Sequence, residues 1–239
     1  MRTLGMIGGT SWHSTIVYYK LINELVSEKI GTQANPQLII YSINIELMRQ
    51  QDHDKINAKY LEVSKKLQEA GAEAILICAN TPHMTYSYIQ PQLDIPVLHI
   101  GEAIGREAKR QGLTKLGLLG NKPTVTGKFI PDYLKENFGI ETLLPPHNDI
   151  LRSHYFVSQE LTQGQFTDKA REFYLKQIKL FQQQGAEGVI LGCTELPMLL
   201  DQEEVEFPLI ATTQLHAQLA ADFIMDEKPV LKKKLSGGI

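Results

Sequence analysis

The chain repeats itself at long range, and this constrains its fold more than any other feature. Residues 4–9 read LGMIGG and residues 116–121 read LGLLGN, 112 positions on. IPVLHI at 95–100 matches FPLIAT at 207–212 with the same offset. GAEAILICANTPHM at 71–84 matches GAEGVILGCTELPM at 185–198, an offset of 114. Three matches in the same order at nearly constant spacing predict two copies of one unit. The first copy covers about 1–98 and the second 99–210. The segment 211–226 is then a closing helix free to pack back on the first copy. The residues 227–239, with Lys232, Lys233 and Lys234, read as a flexible tail.

Each copy alternates short aliphatic runs with amphipathic stretches. The runs are 4–7, 38–43, 74–78, 97–100, 116–119, 189–191 and 209–210. They are brief and apolar throughout, as strands covered on both faces should be. Helical spacing recurs through Trp12, Ile16, Tyr19, Val26 and Ile30, through Leu61, Ser64, Leu67 and Ala70, and through Phe173, Gln177, Leu180, Phe181 and Gln184. The alternation predicts an α/β fold of two pseudo-symmetric domains, each with a parallel sheet. Two such units enclose a cleft, and parallel sheets bind ligands beyond the carboxyl ends of their strands. The residues to examine are therefore 8–11, 44–49, 79–83, 121–126 and 192–195.

Composition removes several functions. A formal net charge of −3 leaves no electrostatic footprint for nucleic acid. No stretch approaches the roughly 18 apolar residues needed to span a bilayer. The N-terminus MRTLGMIGGTSW lacks the apolar core of a signal peptide and reads as a strand and its loop. Two cysteines in apolar segments read as reduced thiols of a cytoplasmic protein rather than a disulfide framework. The seven histidines show no metal-ligand spacing. No dinucleotide or Walker motif is present, so no nucleotide is expected.

Cys193 ends an apolar strand and precedes Thr194 and Glu195. A following helix start would lower its pKa and make it a base able to take a proton from carbon. The repeat sets Cys193 opposite Ala79, and Gly192 opposite Cys78. Because strand residues alternate faces, Cys78 falls on the core side if Ala79 faces the cleft. Alternation can fail at a strand's last residue, so a cleft-facing Cys78 stays open. Asn80 and Thr81 could hold a carboxylate at a helix start or simply cap it. Thr124 occupies the loop in the second copy equivalent to Thr10 and Ser11 in the first. Arg49 follows the second strand and could pair with a carboxylate or lie in solvent. His83 is a candidate acid, base or orienting group, or a packing residue.

LGMIGGTSWHST, CANTPHM at 78–84 and GCTELPML at 192–199 resemble the aspartate/glutamate racemase family, which includes hydantoin racemases, maleate isomerases and arylmalonate decarboxylases. The similarity spans about 1–226. It implies an isomerase, an amino-acid racemase whose small-molecule substrate is an amino acid or dicarboxylate, working without pyridoxal phosphate or metal. It also implies a homodimer. In such enzymes a cysteine from each domain faces one side of the α-carbon; one removes the proton and the other returns it. Cys193 matches the second cysteine. Asn80, Thr81 and His83 match the residues after the first, Thr194 and Glu195 those after the second. Thr124 matches a substrate-binding threonine, and Arg49 falls where some members hold a distal carboxylate.

Two positions depart from the family pattern. The first motif normally reads Cys-Asn-Thr, and here Ala79 stands for the cysteine. A lysine that holds the side-chain carboxylate in some members is Thr162 here. The expected enzyme is thus a racemase using Cys193, weak or direction-biased, with water, Cys78 or a hydroxyl as partner. The alternatives are a one-cysteine decarboxylase of a malonate-like acid and a non-catalytic carboxylate-binding protein.

Overall fold

The computed structural model describes residues 1–226; the tail expected over 227–239 lies outside the described residues. The first unit holds strands β1 (Leu4–Gly8), β2 (Leu38–Ser42), β3 (Ala74–Ile77) and β4 (Val97–Leu98). Its helices are α1 (Trp12–Ile30), α2 (Glu46–Arg49), α3 (His53–Glu69) and α4 (Tyr86–Ile89). The second holds β5 (Lys115–Leu119), β6 (Glu141–Leu143), β7 (Gly188–Leu191) and β8 (Leu209–Ala211). Its helices are α5 (Ile100–Gln111), α6 (Lys122–Thr126), α7 (Phe129–Phe138), α8 (His147–Tyr155), α9 (Asp168–Gln183) and α10 (Leu196–Leu199), and α11 (Thr212–Met225) follows β8 as the last helix among the described residues.

All pairings are parallel, in the orders β2-β1-β3-β4 and β6-β5-β7-β8. The two sheets are the same motif built twice, as the repeat requires. The central strands β1, β3, β5 and β7 are buried nearly end to end, because helices cover both faces. Edge strands differ. β2 is half exposed, with Ile40 open to solvent, so its apolar run did not mean burial on both faces. β6 has one polar end and was not visible as an aliphatic run. The run at 97–100 splits: β4 stops at Leu98, and His99 caps α5 by accepting a hydrogen bond from Gly101 N at Nδ1, 3.0 Å.

The helix faces also need correction. α1 buries Ser14, Tyr18, Ile22 and Val26, while Trp12, Ile16 and Tyr19 are exposed. The helix carries two apolar stripes, and periodicity alone does not say which one meets the sheet. α11 decides it. Its small residues Ala217, Ala220 and Ala221 pack with Tyr18, Ile22, Leu4, Met6 and Cys78 in one core cluster. Tyr18 Oη then lies 3.0 Å from His216 Nδ1. On α3, Ser64 and Leu67 are buried as expected, but with Ile56, Tyr60 and Val63 rather than Ala70. On α9 Phe173, Gln177 and Phe181 face inward and Gln184 is exposed. Among the described residues no helix is long and apolar enough to cross a membrane.

Candidate active site

The carboxyl ends of the central strands of both sheets open into one cleft, lined among others by Thr10, Ser11, Ala79, Asn80, Thr124 and Cys193. Two glycines allow the backbone to reach it. Gly9 has φ +88°, and a Cβ there would collide with the Ile43 carbonyl. At Gly192 a Cβ would stand 2.7 Å from the Leu119 carbonyl oxygen and 3.1 Å from Thr124 Cγ2.

Strand ends in the two sheets superimpose in their hydrogen bonding. Cys78 N donates to Ile7 O at 2.9 Å, and Gly192 N donates to Leu119 O at 2.8 Å. Cys78 and Gly192 are thus equivalent, and so are the residues that follow, Ala79 and Cys193. Cys78 is 1% exposed, lies in the core cluster behind the cleft wall, and its carbonyl accepts from Ser14 Oγ at 2.8 Å. Burial pushes its thiol well up. It does not line the cleft, so alternation held at the strand's end and the reading of Cys78 as a substitute base finds no support in its position.

Cys193 is half-buried, and its Sγ–H donates to Glu195 Oε2 at 2.7 Å; Thr194 Oγ1 donates to the same oxygen at 2.8 Å. Burial, and then the Glu195 carboxylate, push the thiol well above its ordinary value. This corrects the expected lowering by a helix start: α10 is four residues long and begins only after Glu195. Burial and the neighbouring carboxylate thus favour the neutral thiol.

Polar groups bridge the floor between the two units. Thr81 Oγ1 and Thr124 Oγ1 are 2.9 Å apart, and Asn80 Nδ2 donates to Thr212 Oγ1 at 3.1 Å. Thr212 in turn donates to Leu191 O at 2.9 Å. Asn80 does not cap the 3₁₀ turn Thr81–Thr85 with its side chain; its buried Oδ1 has no hydrogen-bond partner. In the second unit Asn121 caps α6, its Oδ1 accepting from Thr124 N at 3.0 Å. Ser11 likewise caps α1, accepting from Ser14 N at 3.2 Å. Thr10 Oγ1 is 2.7 Å from Tyr60 Oη.

His83 is fully buried, and its Nδ1–H donates to the carbonyls of Ala79 at 2.9 Å and Asn80 at 3.1 Å. Desolvation pushes its pKa down to about 4, so it holds the loop as a neutral ring. Arg49 is exposed at the cleft rim with no ion pair among the described residues. Thr162 lines the cleft beside Val157, Ser158 and His154, where the π turn Phe156–Glu160 follows α8. The sequence reading missed Tyr60 and Thr212. Neither carries a local signal, since each reaches the site from an element defined by its apolar face. Asn121 could have been found as an N-cap three residues before Thr124. Among the described residues no group of three or more His, Cys, Asp or Glu could hold a metal ion.

The chain belongs to the Asp/Glu/hydantoin racemase family, whose model matches residues 7–220. It is 26% identical over 213 residues to the broad-specificity amino-acid racemase RacX of Bacillus subtilis, covering 87% of this chain and 91% of that one. A structure from Yersinia pestis assigned to the Asp/Glu racemases superimposes with a TM-score of 0.89 at 34% identity, over 95% of this chain and all of that one. An aspartate racemase homologue from Pyrococcus horikoshii gives 0.84 at 33% identity, with the same coverage.

Proposed function

We propose that this protein is an amino-acid racemase that moves the α-proton with Cys193 and needs no cofactor. The observation that carries the reading is the Cys193–Glu195 pair at 2.7 Å, at the mouth of β7 in the cleft between two equivalent sheets. The family supports the reaction class, and the broad-specificity relative supports a substrate range wider than aspartate and glutamate. Thr162 in place of a lysine agrees with that range, as does Arg49 standing at the rim rather than inside.

The substrate's α-carboxylate sits against Asn80, Thr81, Thr124 and Thr194, whose hydroxyl and amide groups stabilise charge as it develops. Glu195 takes the Cys193 proton as the thiolate forms. The thiolate then removes the α-proton, leaving the electron pair conjugated with the carboxylate. Return of a proton to the same face gives exchange; return from the Ala79 side gives inversion. Because enantiomers are equally stable, kcat/KM must be equal in the two directions, and any direction bias appears as matched differences in kcat and KM.

The test is incubation in D₂O with both enantiomers of aspartate, glutamate, serine, methionine and lysine, followed by mass spectrometry and chiral chromatography. Deuterium incorporation with inversion, lost in Cys193→Ala, is the expected result. Absence of both exchange and inversion for all five would refute the reading, and activity persisting in Cys193→Ala would remove Cys193 from it.

A further inference from the structure

Inversion needs a proton donor on the face opposite Cys193, and Ala79 has none to give. From the geometry we infer that Thr10 is the catalytic residue that protonates this face, with Tyr60 behind it as a positioning residue. This rests on the racemase reading above.

Thr10 occupies the right place. β1 and β3 are neighbours, with Ile7 level with Ile77. β1 ends at Gly8 and β3 at Ile77, so Thr10 and Ala79 each lie two residues beyond the carboxyl ends of these neighbouring strands. Both Thr10 and Ala79 line the cleft.

Thr10 also has a free hydroxyl proton on an oxygen backed by a buried phenol, which no other hydroxyl beside Ala79 has. Ser14 Oγ donates to Cys78 O, and Thr15 Oγ1 donates to Ser11 O. Ser11 Oγ accepts from Ser14 N in capping α1 and has no phenol behind it. The hydroxyls of Thr81 and Thr124 share one hydrogen bond at the floor between the two units, Asn80 donates to Thr212, and His83 Nδ1–H is held by two carbonyls. Tyr60 is 0% exposed, and Thr10 is its hydrogen-bond partner. A buried phenol leaves its proton unpaired only at a cost of about 1–3 kcal/mol, so Tyr60 donates to Thr10 Oγ1. The Thr10 proton is then free to point into the cleft. A donor to Thr10 oxygen also stabilises the alkoxide that proton transfer creates.

The step balances as follows. The Thr10 O–H bond breaks and a Cα–H bond forms on the face opposite Cys193, using the electron pair left by abstraction. Cys193 is again a thiol, because it holds the abstracted proton. Glu195 carries the proton it took from the thiol. Water in the cleft moves that proton to the Thr10 alkoxide and restores the resting state. Nothing is oxidised or reduced.

The test compares exchange with inversion for Thr10→Val, Thr10→Ser and Tyr60→Phe, in D₂O, with the amino-acid panel above and circular dichroism to confirm folding. Thr10→Val should lower inversion roughly 10²-fold or more, the usual contribution of a positioned acid. It should leave Cys193-side exchange with retention, confined to one enantiomer. Thr10→Ser should restore inversion. Tyr60→Phe should lower inversion more than exchange. Unchanged inversion in folded Thr10→Val, or equal loss of exchange and inversion, overturns the assignment. A wild type that neither exchanges nor inverts removes the racemase reading itself, and this assignment with it.

Discussion

Replacing Cys78 by alanine should cost stability and leave catalysis untouched. The thiol is 1% exposed and packed with Leu4, Met6, Tyr18, Leu76 and Ala217. Deleting its sulfur removes one buried apolar atom, worth about 0.8 kcal/mol by analogy with a methylene. The small cavity left behind raises the loss to roughly 1–1.5 kcal/mol. In a chain of this size each kcal/mol moves Tm by about 2–4 °C, so Tm should fall by roughly 3–5 °C. Cys78→Ser should fall further, since its hydroxyl enters the same apolar cluster at a cost of about 1–3 kcal/mol if unpaired. Differential scanning calorimetry reads the first effect and the D₂O assay reads the second. If Cys78→Ala folds normally but loses inversion while keeping exchange, the thiol reaches the substrate. The core placement would then be wrong.

Ala79→Cys restores a thiol at the position equivalent to Cys193 and should raise the inversion rate by about tenfold or more. No gain, measured by chiral chromatography, would mean the cleft cannot seat a thiol there. Glu195→Gln keeps the shape but removes the acceptor of the Cys193 proton. Its kcat should drop by roughly 10²–10⁴-fold for want of that acceptor, although the thiol, relieved of the neighbouring negative charge, then ionises at lower pH; an unaltered kcat would refute that role. The buried histidines set an acid limit. His83 and His216 are held neutral by burial, with pKa values pushed down to about 4 and about 3, and His99 is also pushed well down. The unfolded chain binds these protons first, so stability declines as pH falls below about 6.5. His83 alone should remove roughly 3 kcal/mol by the time pH reaches its folded pKa. Urea unfolding at pH 7 and pH 5 tests this, and equal midpoints would contradict it.

Much of the fold was written in the repeat. Matching aliphatic runs placed six of eight strands within a residue or so, because central parallel strands are apolar on both faces and their turns recur. The same alignment paired Ala79 with Cys193 and put Cys78 out of phase, and the equivalent hydrogen bonds of Cys78 and Gly192 agree. β6 and the exposed side of β2 were illegible, since edge strands meet solvent and lose the uniform apolar pattern. The buried stripe of α1 was misread for a related reason: Trp12, Ile16 and Tyr19 are as apolar as Tyr18 and Ile22, and only packing against α11 distinguishes them.

The amino-acid sequence by itself determined two duplicated parallel units, a cleft at their strand ends and a cysteine, Cys193, in position to face it; that Cys78 does not share the cleft was decided by its burial in the core. Only the tertiary structure decided the state of that cysteine and its surroundings. A thiol's pKa depends on burial and on charges within a few ångströms, and burial, followed by the carboxylate of Glu195 at 2.7 Å, reverses the effect expected of a helix start. The Thr10–Tyr60 contact belongs to the same class. It joins residues fifty positions apart through the packing of α3 beneath β1, a proximity that no local pattern encodes.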